Sequence, residues 1–284
     1  MRILVTGRDG QVARSLAERA PGGAELIFAA RPELDLADPG TIERTVEAAA
    51  PDIIVSAAAY TAVDKAEDEP ELAMRINGEA PGVLAQAARR VGARIVHLST
   101  DYVFAGDAAG AYVETDPVGP IGVYGRSKLA GEEAVRASGA DHVILRTAWV
   151  YSPFGSNFVK TMLRLAADRD KVNVVEDQWG CPTSALDIAD AVAAAVGAWK
   201  NGTYHFAGSG ETNWAVFARA IFIESAARGG PCAEVAGIPS SAYPTRATRP
   251  ANSRLDSGLF TRTFGYASPQ WQASLAEVVG RLVP

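Results

Sequence analysis

Cysteine is nearly missing from this 284-residue chain, which has only Cys181 and Cys232. Two distant thiols make neither a disulfide framework nor a cysteine zinc site, and they fit a reducing compartment. Histidine is as scarce: His97, His142 and His205 stand far apart, with no pair at metal-ligand spacing. No block of Lys or Arg occurs, and 27 basic residues against 33 acidic ones leave a net charge of −6. Nothing in that balance favours nucleic acid or an anionic membrane surface. No apolar run approaches the span of a bilayer. The opening "MRILVTG" lacks the apolar core and cleavage site of a secretory leader and reads as a strand, so the expected location is cytoplasmic. There is no internal repeat and no low-complexity linker.

What is present is an alternation. The first 150 residues run strand–helix–strand: "RILVTG", "AELIFAA", "DIIVSAAA", "ARIVHLST" and "HVILRTAWV" read as strands separated by amphipathic stretches. Runs such as "IIV" are continuous rather than alternating, as strands covered on both faces require. The segment from "AEDEPELAM" to "ARRVG" reads as one long helix or a helix pair, and "DPGTIERTVEAAA" opens on Asp38 as a cap followed by proline. The expected fold class is α/β, a Rossmann-like doubly wound parallel sheet. Residues 1–150 would form the dinucleotide-binding part. Residues 151–284, where the pattern loosens without a linker, would form a smaller C-terminal lobe, with the chain free to cross back to the sheet.

Three constellations carry chemistry. "VTGRDGQVARSL" places Gly7, Gly10 and Ala13 directly after the first strand and at the start of the first helix. Small residues there permit a tight turn, close approach of backbone to a diphosphate, and helix-on-strand packing, and the helix N-terminus offers free N–H groups. At the end of the second strand, "FAARPELDL" puts Arg31 where NAD-binding chains usually carry an acid, which leans toward the 2′-phosphate of NADPH. In "YGRSK", Tyr124 and Lys128 stand four apart around a turn-prone glycine. On a helix they share one face, where an ammonium would lower the phenol pKa from about 10 and ready it as a general acid. A surface helix carrying an aromatic and a charge would show the same pair, so the pair alone does not decide. In the late loop, Arg246, Arg249 and Arg254 offer guanidinium forks that match phosphate oxygens.

Taken in order, "PDIIVSAAAYTAVDKAE", "STDYVFAG", "VYGRSKLAGE", "LRTAWVY", "NFVKTML", "DQWGCPT" and "SAYPTRATRPANSRLD" cover essentially the whole chain. With the glycine turn, they resemble the dTDP-4-dehydrorhamnose reductase family of the extended short-chain dehydrogenase/reductases. The resemblance implies reduction of the C4 keto group of a dTDP-linked 4-keto-6-deoxyhexose by NADPH or NADH. By that resemblance Tyr124 protonates the carbonyl oxygen, Lys128 holds the nicotinamide ribose and depresses the Tyr124 pKa, and Thr100 hydrogen-bonds the same oxygen. Gly10, Gln11 and Val12 would meet the diphosphate. Asp35 and Leu36 would lie at the adenosine end, and Ala58, Ala59 and Thr61 would line the cofactor. Thr100, Asp101 and Trp149 would contact the sugar, with Arg254 among the arginines of the substrate-binding lobe. Some members bridge a dimer through a metal on a first-helix carboxylate. Ser15 stands near that place, so no metal is expected, and the chain would act as a monomer or homodimer.

Rival readings differ in specific residues. A dehydratase of this superfamily follows its threonine with Asp-Glu, whereas this chain reads Thr100, Asp101, Tyr102. A reductase of a different nucleotide-linked 4-keto deoxysugar would share every motif quoted. A non-catalytic dinucleotide-binding regulator would have no use for Thr100, Tyr124 and Lys128 together.

Overall fold

The continuous apolar runs become the middle of one sheet. The computed structural model describes residues 1–283. Its first half runs β1 (Arg2–Thr6), α1 (Gln11–Glu18), β2 (Glu25–Ala29), α2 (Pro39–Ala49), β3 (Ile53–Ser56), α3 (Val63–Ala66), α4 (Pro70–Met74), a π-helical turn (Arg75–Glu79), α5 (Ala80–Val91), β4 (Arg94–Thr100), α6 (Val123–Ala137) and β5 (His142–Thr147). The second half adds β6 (Val150–Tyr151), α7 (Phe158–Ala166), β7 (Lys171–Val175), β8 (Trp179–Gly180), β9 (Thr183–Ser184), α8 (Ala185–Gly197) and β10 (Gly202–His205). It ends with β11 (Thr212–Asn213), α9 (Trp214–Ala226), β12 (Glu234–Ile238), β13 (Asn252–Ser253), α10 (Gly258–Phe264) and α11 (Trp271–Leu282).

Six strands form the main sheet in the order β10-β5-β4-β3-β1-β2, every pair parallel. Successive residues of each strand enter opposite cores. Leu4, Ile54, Ile95 and Ile144 pack with α2, α5 and Val135 of α6. Their neighbours Ile3, Val5, Ile53, Val55, Val96, Leu98, Val143 and Leu145 pack with α1, α8 and α10. A doubly wound sheet thus accounts for the absence of polar alternation. As the capping pattern indicated, Asp38 caps α2, its side chain accepting from Gly40 N with Pro39 following.

The second half contributes β10, α8 and α10 to this layered body. It also gathers α7, α9 and α11 around a separate apolar cluster containing Tyr151, Phe217, Ile221 and Leu275. Three details depart from the pattern read in the sequence. "HVILRTAWV" is not one strand: β5 ends at Thr147, and Trp149 turns into a positive φ of 49° before β6. The long helix runs without a gap from Pro70 to Val91, as α4, the π turn and α5, but the π turn in its middle was not foreseen. Finally, β12 pairs with β7 in a separate two-stranded ribbon. Among the described residues no helix is long and apolar enough to cross a membrane.

Candidate active site

Strand order reverses between β1 and β3, so the turns leaving these strands diverge at the carboxyl edge of the sheet, where open α/β sheets take ligands. Gly7 occupies that turn with φ 88°, and a Cβ on it would stand 3.4 Å from the Ala58 Cβ of the facing turn. Thr6 Oγ1 accepts from both Ala57 N and Ala58 N at 3.0 Å and ties the two turns together. Gly10 is the N-cap of α1, and no side chain caps the helix. The first-turn N–H groups, including those of Gln11 and Val12, are therefore left to a ligand. Open space beside Gly10 and a backbone-only helix start fit a dinucleotide diphosphate.

The Gln11 carboxamide is already engaged, accepting from Ser152 Oγ at 2.8 Å and Asn157 Nδ2 at 3.0 Å, so only its backbone faces this space. Arg31 is exposed just beyond β2. Arg8, which the sequence reading passed over, reaches Phe28 O at 3.5 Å and brings a second guanidinium to the same end. Asp35 spends its carboxylate on Ala37 N, 2.9 Å away, and Leu36 packs against the α2 side of the core. Ala58 and Ala59 are half-buried and Thr61 is exposed on the turn after β3.

That turn is clamped by a residue missed in the sequence. Asn77 is 1% exposed. Its side chain accepts from Tyr60 N at 2.8 Å and donates to Tyr60 O and Ser127 Oγ at 3.0 and 3.1 Å. The π turn carries it there. An asparagine inside an otherwise helical run, where the side chain competes with backbone hydrogen bonding, was the available signal.

Thr100 ends β4, and Tyr124 and Lys128 lie one turn apart on α6. The glycine of "YGRSK" serves close packing inside a helix, not a turn: a Cβ on Gly125 would lie 2.9 Å from Pro120 Cβ and closer still to the Tyr102 carbonyl. Lys128 is 3% exposed, and its Nζ donates to Leu98 O at 2.7 Å. Burial pushes its pKa down to about 8, against the pull of Glu132 one turn on. Burial, then the charge of Asp101, push Tyr124 up to about 12, while a hydrogen bond with Thr100 draws it back. The expected depression of Tyr124 by Lys128 is thus reversed: the ammonium is occupied by a carbonyl, and desolvation of the phenol dominates. Thr100 Oγ1 donates to Asp101 Oδ1 at 3.0 Å. Asp101 Oδ2 has no partner. Burial lifts the Asp101 carboxyl to about 6, with the Ser253 and Thr100 hydroxyls beside it holding it partly down.

Beneath this group lies a buried ion pair. Glu132 accepts from Arg146 Nε and Nη2 at 2.8 and 2.7 Å, from Ser99 Oγ at 2.6 Å and from Arg136 Nη2 at 2.7 Å. Burial alone would raise Glu132, but these partners outweigh it and keep the carboxyl below its usual range.

A cleft of about 930 Å³ opens next to this group. Tyr102, whose ring meets Tyr124 edge-on at 5.4 Å, lines it with Ser253, Trp149, Trp214 and Arg249. Trp149 therefore faces the cleft and is not simply core. Of the three late arginines only Arg249 lines the cleft, and it does so while paired with Asp64 through two hydrogen bonds of 3.0 and 2.8 Å. Those bonds, chiefly, hold Asp64 down to about 2. Arg254, expected at the substrate, does not line the cleft: its three nitrogens are taken by Asn252 Oδ1, Glu211 and Ala109 O. Loop arginines near acids and free carbonyls satisfy their fixed fork locally, which the sequence could not show. Among the described residues no group of three or more His, Cys, Asp or Glu is gathered for a metal ion.

Comparison with known proteins gives this geometry its relatives. Residues 1–283 match the family model described as RmlD substrate binding domain. A dTDP-4-dehydrorhamnose reductase of Sinorhizobium fredii is 48% identical over 100% of this chain and 98% of its own. The crystal structure of a dTDP-4-dehydrorhamnose reductase from Clostridium acetobutylicum superposes with a TM-score of 0.95 at 37% identity, covering 99% of both chains. Another from Bacillus anthracis, in complex with NADP, superposes at 0.92 with 34% identity over 98% of both. With motifs, sheet order and full-length similarity in agreement, the chain belongs to the dTDP-4-dehydrorhamnose reductase family.

Proposed function

We propose that this protein reduces the C4 keto group of dTDP-4-dehydro-L-rhamnose to give dTDP-L-rhamnose, with NADPH or NADH as reductant. What supports the reading is the hydrogen-bonded series Tyr124, Thr100 and Asp101 at the carboxyl end of β4, with Tyr124 against Tyr102, which lines the cleft. The bound nicotinamide supplies the hydride. Tyr124, protonated because its pKa stands near 12, gives its proton to the C4 oxygen as negative charge develops there. Thr100 is the second oxygen-side donor. Its hydroxyl is shared between Asp101 Oδ1, 3.0 Å away, and Tyr124. Lys128, whose Nζ donates to Leu98 O here, would hold the nicotinamide ribose. Trp149 and Tyr102 give the sugar an aromatic wall, and Arg249 is the arginine at hand for the diphosphate. The reading puts the enzyme in the cytoplasm, as a monomer or homodimer, with a diffusible cofactor and a nucleotide sugar as its small-molecule partners. The test is incubation with dTDP-4-keto-L-rhamnose and each cofactor, followed by NMR. Formation of dTDP-L-rhamnose is expected. No turnover, or a C4 epimer as product, would overturn the assignment.

A further inference from the structure

Trp149 has a backbone that needs an explanation. Of the two non-glycine residues with positive φ among the described ones, Ala50 closes a helix, where that conformation is ordinary. Trp149 closes nothing. It follows β5 at the rim of the cleft, with φ 49°, and a bulky residue persists there only when its surroundings dictate the conformation. Two neighbours do so. The Trp214 indole stacks on Trp149 with centroids 3.5 Å apart and planes 10° from parallel. Gly180 lets the indole lie against bare backbone: a Cβ there would stand 2.7 Å from both Trp149 Cζ2 and Nε1. With Trp214 on one face, the ring has little room to give way.

The two neighbours belong to one small unit. β8 carries Gly180 and pairs antiparallel with β11, in register Thr212↔Gly180, so that Trp214 follows directly on the paired Asn213. On its other side β8 pairs with β13, Ser253↔Gly180, and Ser253 lines the same cleft. The backbone of Trp149 is pinned in turn, its carbonyl accepting from Thr183 N at 3.2 Å.

We propose that this three-stranded sheet is a clamp that sets the Trp149 indole for the sugar, with Gly180 and Trp214 as positioning residues neither of which need contact the substrate. The proposal rests on the reading that Trp149 contacts the substrate. Gly180→Ala displaces the indole while leaving the dinucleotide turn untouched. KM for the nucleotide sugar should rise at least tenfold with cofactor Kd unchanged. The excitonic circular dichroism of the stacked indole pair should weaken. Because Trp149→Phe removes the ring edge that the new methyl meets, adding Gly180→Ala in that background should change KM less than twofold, the signature of coupled neighbours.

Trp214→Phe and Trp214→Ala guard against a misfolded glycine variant. The phenyl ring should keep most of the substrate affinity and the alanine should lose it. Three outcomes overturn the clamp: an unchanged KM and dichroism in Gly180→Ala, an equal penalty for it in the Trp149→Phe background, or a harmless Trp214→Ala. If Trp149→Phe alone leaves KM unchanged, the substrate-contact reading fails instead. The clamp is then judged on the dichroism of Gly180→Ala.

Discussion

At the scale of single residues, the proposed mechanism asks one phenol to arrive protonated and leave as phenolate. Replacing Tyr124 with Phe keeps the ring against Tyr102 and removes the proton. Turnover should fall about 10²–10⁴-fold with cofactor binding retained, and near-wild-type turnover in the purified variant would refute the assignment. Lys128, pushed down to about 8 by burial, loses its charge near that pH, so kcat/KM should decline above about pH 8. Lys128→Met should abolish that limb and weaken cofactor binding together. A variant normal in both respects would make Lys128 merely a buried cation with a carbonyl partner. Arg31 is exposed, and a partly exposed ion pair to a 2′-phosphate is worth about 1 kcal/mol, a roughly fivefold preference for NADPH. The ratio of kcat/KM for the two cofactors should shift toward NADH in Arg31→Ala. An unchanged ratio leaves the phosphate to another group, and Arg8 is the nearest candidate.

At the scale of elements, what could be read in advance follows from period and composition. "DIIVSAAA" and "ARIVHLST" were legible as doubly covered strands because nothing polar interrupts them. The glycine turn was legible because a backbone that must approach a ligand excludes side chains. Tertiary partners were not legible. The asparagine in "RINGE" marks an oddity in a helical run, but not which distant loop Asn77 holds. Arg249 is distinguished from Arg254 only by which acid the fold brings near it. The break at Trp149 depends on a glycine and a tryptophan far along the chain.

Helix α8 offers a prediction of this scale. In its first turn Asp187 is 3% exposed and accepts from Ser274 Oγ of α11 at 2.5 Å. Burial raises its pKa to about 6, the Ser274 bond pulling back. Between about pH 4 and pH 6 the folded protein keeps a proton that the unfolded chain releases. The contribution is therefore complete below about pH 4 and is lost as pH rises through about 6, some 3 kcal/mol in all. Asp187→Asn should remove that dependence. The stability difference from wild type, measured by urea unfolding at pH 4 and pH 7, should change by about that amount, in favour of the variant at pH 7. A constant difference would mean the carboxyl titrates normally.

At the scale of the whole molecule, the late loop crosses from the second half of the chain to α3, and Arg249 grips Asp64 at its end. A half-exposed pair adds under about 1 kcal/mol to stability, yet it fixes one wall of the cleft. Arg249→Ala should leave urea unfolding nearly unchanged while raising KM for the nucleotide sugar about tenfold or more. An unaltered KM would show that the loop is held elsewhere. The sheet itself carries a consequence for synthesis. Its outer strand β10 lies some 55 residues after β5, the strand it joins. A ribosome adding about 5–20 residues per second delivers β10 roughly 3–11 s after β5. During that interval β5 is a bare, apolar edge, the kind of surface on which chains pair with the wrong neighbour. The nascent protein therefore passes through a stage that a chaperone able to shield one strand edge for a few seconds would protect, and slow codons between the two strands would lengthen it.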